Sequence, residues 1–282
     1  MLAGLRGDMN RTRAAAVAAM IAMALTAKPA HATPRPLPFT YTTDTLAPGD
    51  LEVEQYVDVT SAKAIGLNNS PVYYAVTQFQ TEFEYGIANR LELGLYVVYV
   101  PTPANYLELP ETTETTGVKE RLRYVLADPG TWPIDVGLYG ELVEGQTEAE
   151  LEGKILLQRR FGNLRVDANL WAEYEAYYAA PPTHRDVVIN PTLGATYEVT
   201  PAVHVGVESW LRAEFPNISV PSPRPTLALG PVVYAGPAVL LNFGKLWWST
   251  GLYARVTDVG LISQPGDIYG PIWVRTVIGL SL

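Results

Sequence analysis

The chain has 282 residues, enough for one large or two small domains, and sets 20 Lys and Arg against 29 Asp and Glu, a net charge of −9. That balance argues against nucleic acid as a partner, because such binding rests on basic side chains neutralising phosphates. With no cysteine there is neither a disulfide framework nor a thiolate metal site.

The first segment, MLAGLRGDMNRTR, carries Arg6, Arg11 and Arg13 and runs into AAAVAAMIAMALTA and then Ala30-His31-Ala32. A basic region, an apolar run and a small-x-small site read as a secretory signal peptide over residues 1–32, cleaved near Ala32, with Met9 as an alternative start. An uncleaved anchor fits less well, since the apolar run is short and ends in Lys28-Pro29. Cleavage leaves 16 basic and 28 acidic residues, a net charge of −12. TPRPLPFTYTTDT (33–45) is Pro-rich and precedes the first strand pattern, so residues 33–50 are either a periplasmic segment or a plug.

From residue 51 the pattern changes to period two, the signature of strands with two unlike faces. LEVEQYVDVT (51–60) sets Leu51, Val53, Val57 and Val59 against Glu52, Glu54, Tyr56 and Asp58. TQFQTEFEYGIANRLELGLYVVYV (77–100) reads as a hairpin. Phe79, Thr81, Phe83 and Tyr85 oppose Gln78, Gln80, Glu82 and Glu84, and beyond Ala88-Asn89-Arg90 the apolar face resumes at Leu91, Leu93, Leu95, Val97 and Tyr99. Asn89 suits the left-handed conformation of a tight turn. In 118–126, Val118, Leu122, Tyr124 and Leu126 face away from Lys119, Arg121 and Arg123, with Glu120 on the apolar side. In 134–143, Ile134, Val136, Leu138 and Leu142 oppose Asp135, Tyr139 and Glu141.

Segments 151–160 and 164–174 form a hairpin about Phe161-Gly162-Asn163, and 192–199 pairs with 203–213 about Thr200-Pro201-Ala202. A strand blurred by Pro231 and Pro237 follows over 229–241, then 245–256, and finally IWVRTVIGLSL, with Trp273, Arg275 and Ser281 on its polar face.

These are about 12 strands. Their spacers alternate between a short set (88–90, 127–133, 161–163, 200–202, 242–245) and a longer set (61–75, 100–117, 144–150, 175–188, 214–226, 257–270). Nothing in a soluble sandwich demands that alternation, whereas an outer-membrane barrel has short periplasmic turns and longer outer loops. No later segment reaches 18 consecutive apolar residues, so no transmembrane helix is expected, and 17 Tyr with 6 Trp suit strands with interfacial aromatics. Every strand is amphipathic and no covering layer is evident. The expected fold is therefore all-β: a 12-stranded antiparallel transmembrane barrel over 51–282 with its greasy face toward lipid. Tyr85, Tyr99, Tyr174, Tyr197, Phe243 and Trp248 then read as interfacial girdles.

TDTLAPGDLEVEQY (43–56), TEFEYGIANRLELGLY (81–96) and GKLWWSTGLYARV (244–256) resemble a proteobacterial group of outer-membrane barrel proteins, largely of unassigned function. That group is distantly similar to barrels linked to phenol and toluene uptake. The resemblance spans most of the mature chain and implies a barrel with small-molecule transport, and it brings no catalytic residue. The chain departs from it in ending in Leu282 where such barrels usually end in an aromatic, which bears on insertion.

With apolar faces outward, the lumen receives Glu52, Glu54, Asp58, Glu82, Glu84 and Glu92 from the first three strands, Lys119, Arg121 and Arg123 from the next, and Arg255 and Arg275 from the last two. An acidic wall flanked by basic residues either braces a narrow lumen or sets a field across a pore. Trp171, Trp210, Trp247 and Trp273 also turn inward, either lining an apolar passage or filling space.

Nothing points to catalysis. The mature chain has only His184, a loop residue in PPTHRD, and His204, inward and four residues from Glu208, and neither sits in a Ser/His or metal spacing. No cofactor is called for. Thr112–Thr116 reads as a surface loop, and the Asn68 and Asn217 sequons carry no meaning in a bacterial setting. The function expected is passage of small solutes, hydrophobic or aromatic ones among them, across the bacterial outer membrane. The alternative is a non-conducting structural barrel that binds a partner through its outer loops. Lipid is a partner in either case, and self-association is left open.

Overall fold

The computed structural model describes residues 33–65, 71–99, 117–145, 148–178, 184–215, 231–257 and 269–282. The expected signal peptide, the Thr112–Thr116 loop and both sequons lie outside these residues. The strand segments are β1 (Leu51–Ile65), β2 (Pro71–Ala88), β3 (Leu91–Tyr99), β4 (Gly117–Val125), β5 (Asp135–Glu144), β6 (Glu148–Phe161) and β7 (Leu164–Tyr177). They continue as β8 (His184–Ile189), β9 (Thr192–Thr200), β10 (Val203–Phe215), β11 (Val232–Asn242), β12 (Leu246–Arg255) and β13 (Tyr269–Ser281).

The ladder is antiparallel throughout and closes. β13 returns to β1 with Glu52 opposite Ser281 and Asp58 opposite Arg275. β8 and β9 share one position in the wall, both lying between β7 and β10, so the 13 segments make a barrel of 12 staves. The break in that stave is Asn190-Pro191. Pro191 has no N–H to give the ladder, yet its carbonyl accepts Leu211 N–H at 3.1 Å while Asn190 N–H reaches the Trp171 carbonyl at 2.9 Å. Pro237 interrupts the β11–β12 ladder in the same way, between the pairs Ala235–Ala254 and Ala238–Gly251.

Several boundaries differ from the sequence reading. The stretch 175–188 is largely strand and not loop, since β7 runs to Tyr177 and β8 occupies 184–189; likewise β1 reaches Ile65 and β2 starts at Pro71. The physical reason is that alternation is enforced only where one face meets lipid. Past that layer the ladder continues while the side-chain pattern fades, as in Ser61-Ala62-Lys63-Ala64. Spacer length also fails to alternate at one place: the connection 145–147 is shorter than 126–134 at the opposite end. In the β2–β3 turn the left-handed residue is Arg90 (φ 67°) and not Asn89, because the ladder slips at Ile87 and moves the turn along by one.

The two faces divide sharply. Glu52, Glu54, Asp58, Glu82 and Glu84 are at most 2% exposed, whereas Leu170, Leu193, Val207 and Leu252 are 53–63% exposed with no layer over them. Burying the apolar face in hydrocarbon is the arrangement that a closed ladder permits and an open sheet does not. Tyr99 and Tyr174 lie outward toward one end, and Tyr85, Tyr197, Phe243 and Trp248 outward toward the other, where the chain enters β1. That end, which carries both Leu51 and Ser281, is taken as periplasmic.

Leu170 sits midway along β7 and Leu164 at its periplasmic start. Leu170→Arg is therefore expected to cost about 2–4 kcal/mol of barrel stability and Leu164→Arg at most about 1. Denaturant refolding into lipid vesicles measures both, and equal effects at the two depths would contradict this placement of the bilayer.

Candidate functional site

The lumen is built by the strand pleat. On β2 to β4 it brings Arg121 opposite Gly94, the one β3 position without a side chain. A Cβ at Gly94 would come within 2.5 Å of both Arg121 Nε and Glu82 Oε1, so only glycine leaves room for the guanidinium to lie flat against the wall. From there Arg121 reaches Glu82 at 2.7 Å, Glu84 at 2.6 Å and Glu92 at 2.8 Å, and Arg123 reaches Glu92 at 2.5 Å. Further round, Lys119 pairs with Glu141 at 3.1 Å and Lys154 with Glu152 at 2.6 Å. Buried charges are tolerated only when compensated in this way.

The other side of the acidic wall is held differently. Arg275 makes a two-point pair with Asp58 at 2.7 and 2.9 Å, while Arg255 gives its Nε hydrogen to the Thr257 carbonyl at 2.8 Å. Glu52 takes Trp247 Nε1–H at 2.8 Å, Ser281 Oγ–H at 2.7 Å and Thr33 N–H at 3.3 Å. Trp247 lies over Gly279, where a Cβ would be 2.1 Å from the indole. Of the remaining inward tryptophans, Trp171 has the Lys154 ammonium 3.7 Å from its ring, and Trp210 and Trp273 pack together with centroids 5.0 Å apart. His204 is half-buried, and Glu208, four residues on along β10, is engaged elsewhere, as described next; the His184 side chain lies outside the described residues.

Residues 33–50 enter the lumen and return to the same end as a loop. Thr33 lies at Glu52 and Arg35 at Glu54 (3.1 Å) and Tyr56, all near the start of β1. The tip is Phe39-Thr40, whose N–H groups both donate to Glu208 Oε1, at 3.1 and 2.5 Å. The returning limb gives Tyr41 N–H to Asn169 Oδ1 at 2.8 Å, Thr43 N–H to Gln158 at 3.1 Å and Leu46 N–H to Glu92 at 2.8 Å. Asp44 meets Arg160 at 2.9 Å and Arg165 at 3.1 Å. Three prolines and the absence of a strand partner leave the backbone of residues 33–46 without a ladder, so wall side chains satisfy it instead. A cleft of about 360 Å³ lined by Thr33, Pro34, Thr43, Asp44 and Arg90 stays open between its limbs at the periplasmic mouth.

Among the described residues two groups of carboxylates are close enough to hold a cation, Glu52/Glu54/Glu84 and Glu150/Glu173/Glu175. In the first, each member already accepts from Trp247 and Ser281, from Arg35 and Tyr56, or from Arg121. In the second, Arg212 binds Glu173 and Glu175 at 3.2 and 3.0 Å. The arrangement can brace, occlude and bind; it contains no nucleophile–base pair among the described residues. Sequence reasoning did not single out Arg35, Phe39 and Tyr41, or Lys154 with Glu152 and Glu141. The alternation of β5 and β6 already places the latter three inward.

Removing Arg121 and Arg123 together strands Glu82, Glu84 and Glu92 without cations. Breaking a buried pair from one side costs roughly 3–5 kcal/mol, so the R121A/R123A double variant is expected to lose much of its resistance to heat in detergent, followed by its gel mobility. Unchanged heat resistance would mean that this network does not brace the barrel.

Among solved structures the chain is similar to the COG4313 outer membrane channel from Pseudomonas putida F1, with a TM-score of 0.56, 13% identity, and 85% of this chain and 98% of that one covered. It is also similar to a NanC porin, with a TM-score of 0.52, 9% identity, and 80% and 100% of the two chains covered. At such identities the likeness is one of fold, that of an outer-membrane β-barrel. No curated protein matches the sequence. A family model does match, over residues 29–257, and the chain belongs to that family, DUF6662, a family of unknown function.

Proposed function

We propose that this protein is a channel for small solutes in the outer membrane of a Gram-negative bacterium, exported by a signal peptide cleaved near Ala32 and closed by its own N-terminal loop. The observation that carries this reading is how the loop is held. The barrel ladder closes through β1 and β13 without it, and residues 33–45 contribute no strand pairing. A segment held by side-chain contacts alone, with a cleft open toward the periplasm, can leave while the wall stays intact. The fold-mates' descriptions as a channel and a porin support the same reading. The inward tryptophans favour hydrophobic or aromatic solutes, and no enzymatic role is assigned.

A second reading has its own support: the layers around Arg121 and Lys154 fill much of the cross-section, as in a non-conducting barrel that acts through its outer loops.

Single-channel recording in planar bilayers separates the two. The refolded mature chain is expected to be closed or to open rarely, and deletion of residues 33–45 to give steady ohmic steps. The deletion also removes Arg35 and the N–H donors from Glu54, Glu208 and Glu52, so its reversal potential under a salt gradient should show cation preference. A deletion variant that inserts and resists heat yet never conducts would favour the second reading.

A further inference from the structure

We propose that the aromatic cage around Phe39 is a binding site for a neutral single-ring solute, and that Phe39 occupies it as the chain's own stand-in. The inference rests on the reading of the protein as a loop-closed channel and adds what opens it: solute and loop tip compete for one site.

The cage lies in the outer half of the lumen, where an entering solute arrives first. Trp273 and Arg275 come from the outer half of β13, Tyr253 from the outer end of β12 and Trp210 from the middle of β10. Around the Phe39 ring, Trp210 stands at 4.9 Å, Tyr253 at 5.2 Å and Trp273 at 5.6 Å between centroids, the last two edge-on. The Arg275 guanidinium sits 3.8 Å over the ring face, fixed there by its two-point pair with Asp58. Four wall residues from three strands thus converge on a ring that does not belong to the wall, and Phe39 is only 5% exposed.

Two features describe the occupant better than phenylalanine does. Trp210 is 3% exposed, yet its Nε1–H finds no acceptor among the described residues. Such a buried donor is costly to leave unmade, and a benzene ring bearing only carbon cannot satisfy it. Glu208 is held by Phe39 N–H, Thr40 N–H and the Tyr253 hydroxyl. When the tip leaves, Glu208 loses its two backbone donors. A hydroxyl on the entering ring offers both an acceptor for an indole N–H and a donor for a carboxylate. Charge selects further. A cation over the ring face favours electron-rich rings, while the Glu208 carboxylate disfavours an anionic substituent. The solute class is therefore a neutral hydroxylated arene, with an aryl carboxylate excluded.

The test titrates phenol, toluene, cyclohexanol and benzoate into the folded mature chain in detergent by calorimetry, with single-channel recording on the same preparations. Phenol should bind the wild-type chain more tightly than the other three. Phe39→Ala, or Phe39→Leu should the alanine variant fold poorly, should tighten phenol binding about tenfold by removing the internal competitor. Trp210→Phe keeps a ring but removes the orphan donor, and should erase most of phenol's advantage over toluene. The proposal is overturned if phenol affinity is the same with and without the Phe39 ring, or if cyclohexanol and benzoate bind as well as phenol. Failure of the underlying reading looks different: Phe39-dependent phenol binding with no conductance in any variant leaves the cage standing and removes the channel. Conductance that rises in F39A with no phenol binding does the reverse.

Discussion

Hydrocarbon offers the backbone no hydrogen bonds, so a chain that crosses it on strands must pair every N–H and C=O with a neighbouring strand and come back to its start. In this protein the pairing of β13 with β1 meets that demand, and it fixes everything inside. Once the ladder closes, the pleat sends every second side chain into a confined lumen. The outward set must be apolar, so the inward set inherits the chain's polar and charged residues. Acid-rich β1, β2 and β3 and arginine-bearing β4 become neighbours by the order of the ladder alone. Their charges pair because leaving them unpaired in a water-poor space is more costly than the geometric freedom they give up.

The N-terminal loop answers a related problem from the opposite direction. It has no ladder, yet it runs through the same space, and each of its buried N–H groups needs an acceptor. The wall supplies them one at a time: Glu208 for the tip, Asn169 for Tyr41, Gln158 for Thr43 and Glu92 for Leu46. Glu92 serves both systems, accepting from Arg121, Arg123 and the loop together. The bracing network and the loop are thereby one electrostatic unit, and the acidic excess of the wall has a structural use as a set of receptors for backbone N–H groups.

Much of this was legible in the sequence because a membrane wall writes its constraint at every second residue. The outward positions from Leu91 to Tyr99, and Val136, Leu138 and Leu142 further on, keep strict period two, and the inward placement of Glu52, Glu82, Arg121 and Trp210 follows from parity alone. Legibility ended where that constraint ended. β8 pairs with β7 ahead of the Asn190-Pro191 break and outside the clearest alternation, and reads as loop. Residues 33–46 obey no period, since their partners are single side chains on five different strands. Arg35 and Phe39 could be named only once the wall that receives them was in place.

That dispersal of partners orders the assembly in time. Glu52, Glu92, Gln158, Asn169 and Glu208 belong to β1, β3, β6, β7 and β10, and they face one another only when the cylinder has formed. No partial sheet presents the complete receptor. Because the loop enters and leaves by one mouth, it needs no threading and can dock from the periplasmic side after the strands have crossed the bilayer. Docking of the loop therefore follows closure of the cylinder, and the newborn barrel passes through a stage in which its lumen is still unfilled.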